Sequence, residues 1–405
     1  MTSRPTAAGE VAPASAGEAA RQSCHACGAG GLVAFYEVGG VPAQTCVLLD
    51  SAHEAEAYPR GEILLAYCGS CGFIQNVRFD LALVDYSKPT EESQAFSPRF
   101  TEFASRLADE LVHQHGLDGK TVLEVGCGKG DFLELLAERG IAFGLGIDPG
   151  YLPNRDEADT SRVEYRREWY GAGDTHLTGD LVLSRHLMEH VPNVGEFFGW
   201  LVESAMQTPG SVMFTEVPDT TRVLAEGAFW DVYHEHCSYF TLGSLARALR
   251  AAGMTVTNLR YGFDDQYLLA QSVPGAGGEV REEEDTPDQI AELAEHFARV
   301  TANRVGHWRS TIADVQAGGG AVAVWGGGSK AAAFLTSVEA DDVTVVDINP
   351  HKQGKWLPGS AVEVRSPEVL LEVRPDLVIP MNPIYVDEIS TDLDSMGLAP
   401  RVEAL

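Results

Sequence analysis

Residues 121–130 read TVLEVGCGKG, and the fold turns on this stretch. TVLEVG is a short run of apolar and β-branched residues, the pattern of a strand buried on both faces of a parallel sheet. Glu124, Gly126, Gly128 and Gly130 alternate along its end, and a helical period follows as far as Arg139. The spacing is G-x-G-x-G, not the G-x-G-x-x-G of dinucleotide binding. Glycines here let a ligand approach the backbone closely. A carboxylate at Glu124 suits a cationic or amino-acid-bearing ligand. The next strand, GLGID, ends at Asp148, about 20 residues on, where an acid can hold both ribose hydroxyls.

Working outward, 180–184 (DLVLS) and 211–216 (SVMFTE) are further strands between helical stretches. Strands alternating with helices predict a parallel sheet. Residues 255–260 and 267–273 form a pair that can close it. Upstream, Phe96, Phe100, Phe103, Leu107 and Leu111 predict a helix from about 91 to 115. Downstream, 275–288 is glycine-rich and then acidic, a linker. Beyond it Ile290, Leu293, Phe297, Val300, Trp308, Ile312 and Val315 fall on one helical stripe. The strand–turn–helix pattern then restarts, with AVAVW at 321–325, Gly326–Gly328, a strand ending at Asp347 and another at 376–379.

Strand, glycine loop, helix, strand and acid in this order resemble the cofactor site of S-adenosylmethionine-dependent methyltransferases. The expected fold is therefore α/β: a class I methyltransferase Rossmann-like sheet, flanked by a small N-terminal zinc-binding domain and a C-terminal Rossmann-like α/β domain. The expected division is a disordered leader at 1–22, the zinc domain at 23–90, the methyltransferase domain at 91–277, and a linker, long helix and second Rossmann-like domain at 278–405.

The zinc expectation rests on Cys24-x-x-Cys27 and Cys68-x-x-Cys71. Each pair can clasp one edge of a tetrahedral metal, and four thiolates leave no open coordination position, so the metal would be structural. Cys46, Cys127 and Cys237 have no partner pattern and read as small apolar fillers. Seven cysteines, an odd number with no secretory leader, point to a reducing cytoplasm. The 405 residues carry 59 acidic against 29 basic side chains, a net charge of −30. Such a surface repels nucleic acid and anionic membranes, and no run is long and apolar enough for a membrane helix. The expected partner is a small-molecule acceptor. The oligomeric state is not readable.

Two segments after the fourth and fifth strands, Arg185-His186-Leu-Met-Glu189-His190-Val-Pro192-Asn193 and Tyr233-His234-Glu235-His236, fall at the sheet's carboxyl rim, where open α/β sheets bind ligands. A histidine with a pKa of about 6.5 can give or take a proton near neutrality. The histidines could instead pack in the core, or His234 and His236 could hold a metal with a nearby acid.

Together the CxxC pairs, EVGCGKG, EHVPN, YHEHCSYF, WGGGSK and VVDINPHKQGKWLPG resemble the sugar C-methyltransferases of antibiotic biosynthesis, which act on nucleoside-diphosphate 4-keto-deoxysugars. The resemblance spans nearly all of 23–405. It implies that His236 deprotonates the carbon beside the ketone, with Tyr233, Glu235 and His190 orienting it or stabilising the enolate. The cofactor residues it implies are Glu124, Gly126, Gly128, Gly130, Asp148, Arg185 and His186. A nucleoside-diphosphate sugar would meet Tyr86, Lys330 and Asn382. Departures are His186 where the family tends to have Asn, Glu189 where it tends to have Ala, and Asp85-Tyr86-Ser87-Lys88-Pro89 in place of Y-x-Y-x-S. They suggest an altered acceptor. Gly326, Gly328 and Ala331 match G-x-G-x-x-A, which leaves NAD, an acceptor-closing lobe and a plain scaffold open for the last domain. The rival functions are O-, N- or C-methylation of another metabolite and a zinc-bearing binding protein without catalysis.

Overall fold

The protein is described here as a computed structural model, which describes residues 11–88, 90–152, 160–275 and 277–405. Residues 1–10 of the expected leader and Pro89 of the expected acceptor segment lie outside these. The rest of the leader is not without structure. Pro13–Ala20 forms a helix, with Ala19 fully buried. Glu18 pairs with Arg78 at 2.9 Å, and Ser15 donates to Glu37 at 3.0 Å, so these contacts offset the ordering cost that a small, polar composition suggested would prevail.

Strands β1 (Val33–Pro42), β2 (Arg60–Tyr67) and β3 (Ile74–Asn76) follow as an antiparallel meander. The central sheet comprises β4 (Thr121–Val125), β5 (Phe143–Ile147), β6 (Val163–Arg166), β7 (Leu181–Arg185) and β8 (Val212–Pro218). β9 (Ser238–Tyr239) leaves this sheet and pairs with β3, completing the N-terminal one. β10 (Met254–Gly262) and β11 (Tyr267–Pro274) return to the centre. The seven strands run β10-β11-β8-β7-β4-β5-β6, parallel except where β11 lies between β8 and β10. Strand order reverses at β4, so the crevice beyond its carboxyl end is where a ligand binds.

β6 was not foreseen, because VEYR is too short and too charged to signal a strand. The helix expected from about residue 91 begins at Pro98 and runs to His115. Proline suits a first helical position, and Ser97 caps the helix by accepting from the Phe100 N–H.

The last unit is an all-parallel sheet of β12 (Val322–Trp325), β13 (Val343–Val346), β14 (Val364–Arg365), β15 (Leu377–Pro380) and β16 (Arg401–Val402), ordered β14-β13-β12-β15-β16. The helix Pro287–Ala317 precedes it, opened by a Thr286–Gln289 capping box. Its buried stripe is Ile290, Ala294, Phe297, Thr301, Val305, Trp308 and Ile312, while Leu293 and Val315 are only partly covered. Phe297 meets Tyr36 edge to face at 5.0 Å, so the helix ties the N-terminal sheet to the last one. Burying such a ring stabilises by about 1.5–3 kcal/mol. Among the described residues no helix is long and apolar enough to cross a membrane.

Candidate active site

The carboxyl rim of the central sheet, the Gly326–Gly328 turn and the histidine-rich segments enclose one cavity of about 810 Å³. On its cofactor side, Gly126 has φ +77, and a Cβ there would lie 2.9 Å from Leu187. The loop is pinned by the Gly126 N–H on the Ile147 carbonyl at 2.8 Å. Asp148 accepts from the Gly128 N–H at 3.0 Å and the Gly150 N–H at 2.7 Å, and burial pushes its carboxyl above the usual range. Glu124, fully buried on β4, is pushed up to about 8 by desolvation, against the pull of Arg185. Its Oε2 has no hydrogen-bond partner. A buried orphan acceptor costs about 1–3 kcal/mol, and a ligand ammonium placed there would satisfy it.

Arg185 and His186, both expected to hold cofactor, spend their charge inside the protein. Arg185 forks onto Glu216 at 3.1 and 2.9 Å and lies 4.0 Å from the centre of the Phe132 ring. His186 has φ +49, a left-handed conformation that is uncommon for a residue with a Cβ. Its ring sits 2.7 Å from Glu216 and 3.6 Å from Glu189. Desolvation works to lower the His186 pKa, but the two carboxylates outweigh it and raise it to about 9.

On the acceptor side, His190 and His236 face each other edge to face at 4.8 Å. The Tyr86 hydroxyl lies 3.1 Å from His190 Nδ1. Loss of water, then the neighbouring His190, holds His236 down to about 3, so its ring is neutral. Tyr233 packs against His236 at 4.7 Å, yet its hydroxyl donates to Asp231 at 3.1 Å. Glu235 accepts from the Thr45 N–H at 3.1 Å and from the Thr45 hydroxyl. The expectation that Glu235 or Tyr233 orients His236 therefore holds only as packing, and only for Tyr233. His234 points away from the site. Its Nδ1 lies 2.9 Å from the Glu62 carbonyl, which removes it from any metal pair with His236. A different trio, Glu189, His190 and His236, brings one donor atom each within 4.8 Å of the others and could hold a divalent ion.

Lys330 and Asn382 do reach the cavity wall, but their polar atoms are engaged. Lys330 pairs with Asp231, which also binds Arg222 at 2.7 Å. Asn382 exchanges amide hydrogen bonds with Gln266 at 2.8 and 2.9 Å. The Gly327 N–H donates to Asp347 at 2.7 Å. Asp231 lines the cavity within the rim segment that the sequence pointed to, and Glu91 and Trp169 line it as well; those two carried no signal in the sequence, each being a single residue outside any motif.

The four expected metal-binding cysteines converge. Cys24 and Cys71 sulfurs are 3.6 Å apart, Cys27 and Cys68 sulfurs 3.7 Å, and all four lie within 4.8 Å of one another. Thiolates around tetrahedral zinc, with Zn–S about 2.3 Å, are about 3.8 Å apart. Each pair sits in a matching turn, closed by Gly28 N–H on the Cys24 carbonyl and Gly72 N–H on the Cys68 carbonyl, both at 2.8 Å. The donor set fits zinc.

Residues 97–259 match a family described as methyltransferase domain, and 277–398 one described as C-methyltransferase C-terminal domain. The protein is an S-adenosylmethionine-dependent methyltransferase. The reading as a non-catalytic binding protein is thereby set aside. This methyltransferase is 29% identical over 307 residues to the C-methyltransferase NovU of Streptomyces niveus, covering 70% of this chain and 71% of that one. It is 29% identical over 182 residues to the ubiquinone biosynthesis O-methyltransferase of Acinetobacter baylyi, covering 40% and 76%. Among solved structures it is similar to a 1,6-didemethyltoxoflavin-N1-methyltransferase from Burkholderia thailandensis with bound S-adenosylhomocysteine, at 20% identity and TM-score 0.34, covering 44% of this chain and 81% of that one.

Proposed function

We propose that the methyltransferase transfers its methyl group to carbon, on a small keto metabolite of the nucleotide-linked keto-deoxysugar class used in antibiotic biosynthesis. The observation that carries this reading is the buried His236 ring, set edge to face against His190 in the cavity that also holds the cofactor loop and held neutral by loss of water. The kinship with a C-methyltransferase along most of the chain supports it. S-adenosylmethionine supplies an electrophilic methyl on a sulfonium, which departs as a neutral thioether. His236 takes the proton from the carbon beside the ketone, and the enolate carbon forms the new bond. A low pKa makes His236 a weak base before the reaction begins, but an enolate forming beside it favours its charged form and raises that pKa as the proton moves. In this reading the hydrogen-bonded pair Tyr86 and His190 supplies the donor to the enolate oxygen, where positioned donors are worth most. Holding the two reactants in line supplies much of the remaining rate.

In this reading the cysteine quartet binds one structural zinc ion, and the last sheet closes over the acceptor. Lys330 and Asn382 then shape the wall through Asp231 and Gln266. The match of the central region to an O-methyltransferase supports a second reading, methylation of a heteroatom. The test is proton–deuterium exchange at the acceptor carbon of a nucleoside-diphosphate 4-keto-deoxysugar, followed by NMR without methyl donor. His236→Asn should slow exchange by about 10²–10⁴. Exchange at the wild-type rate would remove His236 as the base, and methylation by the wild type without any exchange would favour the heteroatom reading.

A further inference from the structure

We propose that the cysteine turn at 24–27 sets the spacing of His190 and His236, acting through Gly195 and Gln75 as positioning residues. This rests on the reading of those histidines as the acceptor chemistry, and it gives the quartet a role beyond holding its own fold.

The contacts form a closed ring. His25 lies between Cys24 and Cys27, and its carbonyl accepts from the Gly195 N–H at 3.0 Å. Gly195 opens the helix Val194–Met206, a few residues past His190. A Cβ on Gly195 would sit 3.0 Å from the carbonyl oxygens of both His25 and Ala26. Backbone oxygens cannot swing aside as a side chain would, so glycine is needed for this approach. The His25 N–H donates to the Gln75 side chain at 2.9 Å. Gln75 is fully buried on β3, directly opposite Ser238 of β9, two residues past His236. The Ser238 hydroxyl closes the ring by donating to the Val191 carbonyl at 2.8 Å, adjacent to His190. The Asn76 N–H on the Cys237 carbonyl at 3.0 Å reinforces the β3 side.

Both histidine-bearing segments thus hang from one short turn, closed by the Gly28 N–H on the Cys24 carbonyl and packed through its sulfurs against Cys71 and Cys68. The cofactor loop is anchored separately, on Ile147 and Asp148. Distortion of the cysteine turn should disturb proton transfer while sparing cofactor binding.

The experiment uses the full chain with Gly195→Val and, as a second variant that adds no bulk at the turn, Gln75→Leu. The readouts are the Cε1–H NMR signals of His190 and His236, assigned with His190→Asn and His236→Asn, the zinc content, and S-adenosylhomocysteine affinity by calorimetry. Both histidine signals should move in both variants. Zinc content should stay unchanged, and affinity should stay within about twofold, because neither variant touches the loop's anchors on Ile147 and Asp148. Unmoved signals in a folded Gln75→Leu protein would overturn the proposal, even if Gly195→Val fails to fold. So would affinity falling in step with the signal shifts, because that marks a global effect. The signals report spacing whether or not His236 is the base, so failure of the base reading shows separately, in the exchange assay.

Discussion

Glu124 should make cofactor binding depend on pH, and the size of the effect follows from its burial. In the free protein its carboxyl is pushed up to about 8, against an ordinary value of 4.5, chiefly by desolvation, with Arg185 pulling the other way. It is therefore largely protonated at neutral pH. A bound ligand whose ammonium meets the orphan Oε2 favours the charged form and drives the pKa back down. Binding then releases a proton, and affinity rises with pH until about 8. If the bound value returns to the ordinary one, S-adenosylhomocysteine should bind about 50-fold more weakly at pH 6 than at pH 8. Calorimetry in two buffers of different ionisation heat counts the proton directly. His186, raised to about 9, would release a proton with the same sign, so the decisive comparison is Glu124→Gln, which keeps the shape and cannot titrate. Its affinity should be nearly flat from pH 6 to 8. The linkage to stability has the opposite sense. A carboxyl raised in the folded state destabilises increasingly as pH climbs from the unfolded value to the folded one, so Glu124→Gln should raise Tm at pH 8. A wild-type affinity independent of pH, or a slope as steep in Glu124→Gln as in the wild type, would refute the assignment of Glu124 to the ligand's positive end.

Gly126→Val places a branched side chain against Leu187 at positive φ and should abolish S-adenosylhomocysteine binding by calorimetry. Elemental analysis should find about one zinc per chain, and Cys68→Ser should lose it together with most of the thermal stability. Lys330→Met removes one of the two cations on buried Asp231 while Arg222 remains. It should cost about 2–3 kcal/mol in urea denaturation, below the full penalty of an unpaired buried charge, and an unchanged midpoint would show that Arg222 alone suffices.

The central sheet was legible because its signals are local. A glycine loop, an acid at a strand end and apolar runs each lie within a few residues, and β4, β5, β7 and β8 form where TVLEVG, GLGID, DLVLS and SVMFTE predict. The cysteine pairs were legible for the same reason. The charge pairings were not. Arg185 and His186 look like ligand contacts until Glu216, from the next strand, is seen to take both. Lys330 and Asp231 are far apart in the chain, and only the packing of the last sheet brings them together. Glu235 sits beside the supposed base in sequence, yet the bend at His234 and Glu235 turns its carboxylate to Thr45. Sequence adjacency in the Y-H-E-H segment therefore misassigned the partner that packing determines.

β9 belongs to the N-terminal sheet but comes from residues 238–239. During synthesis at about 5–20 residues per second, β3 leaves the ribosome about 8–30 s before its partner strand exists. For that interval the edge of β3 is unpaired, a template for wrong pairing. The cysteine turns, by contrast, are complete once residue 71 has emerged. Metal capture on the nascent chain could thus hold β1, β2 and β3 in register while most of the catalytic sheet is still being made, and zinc supply during translation, rather than in the mature enzyme, would then govern the yield of folded protein.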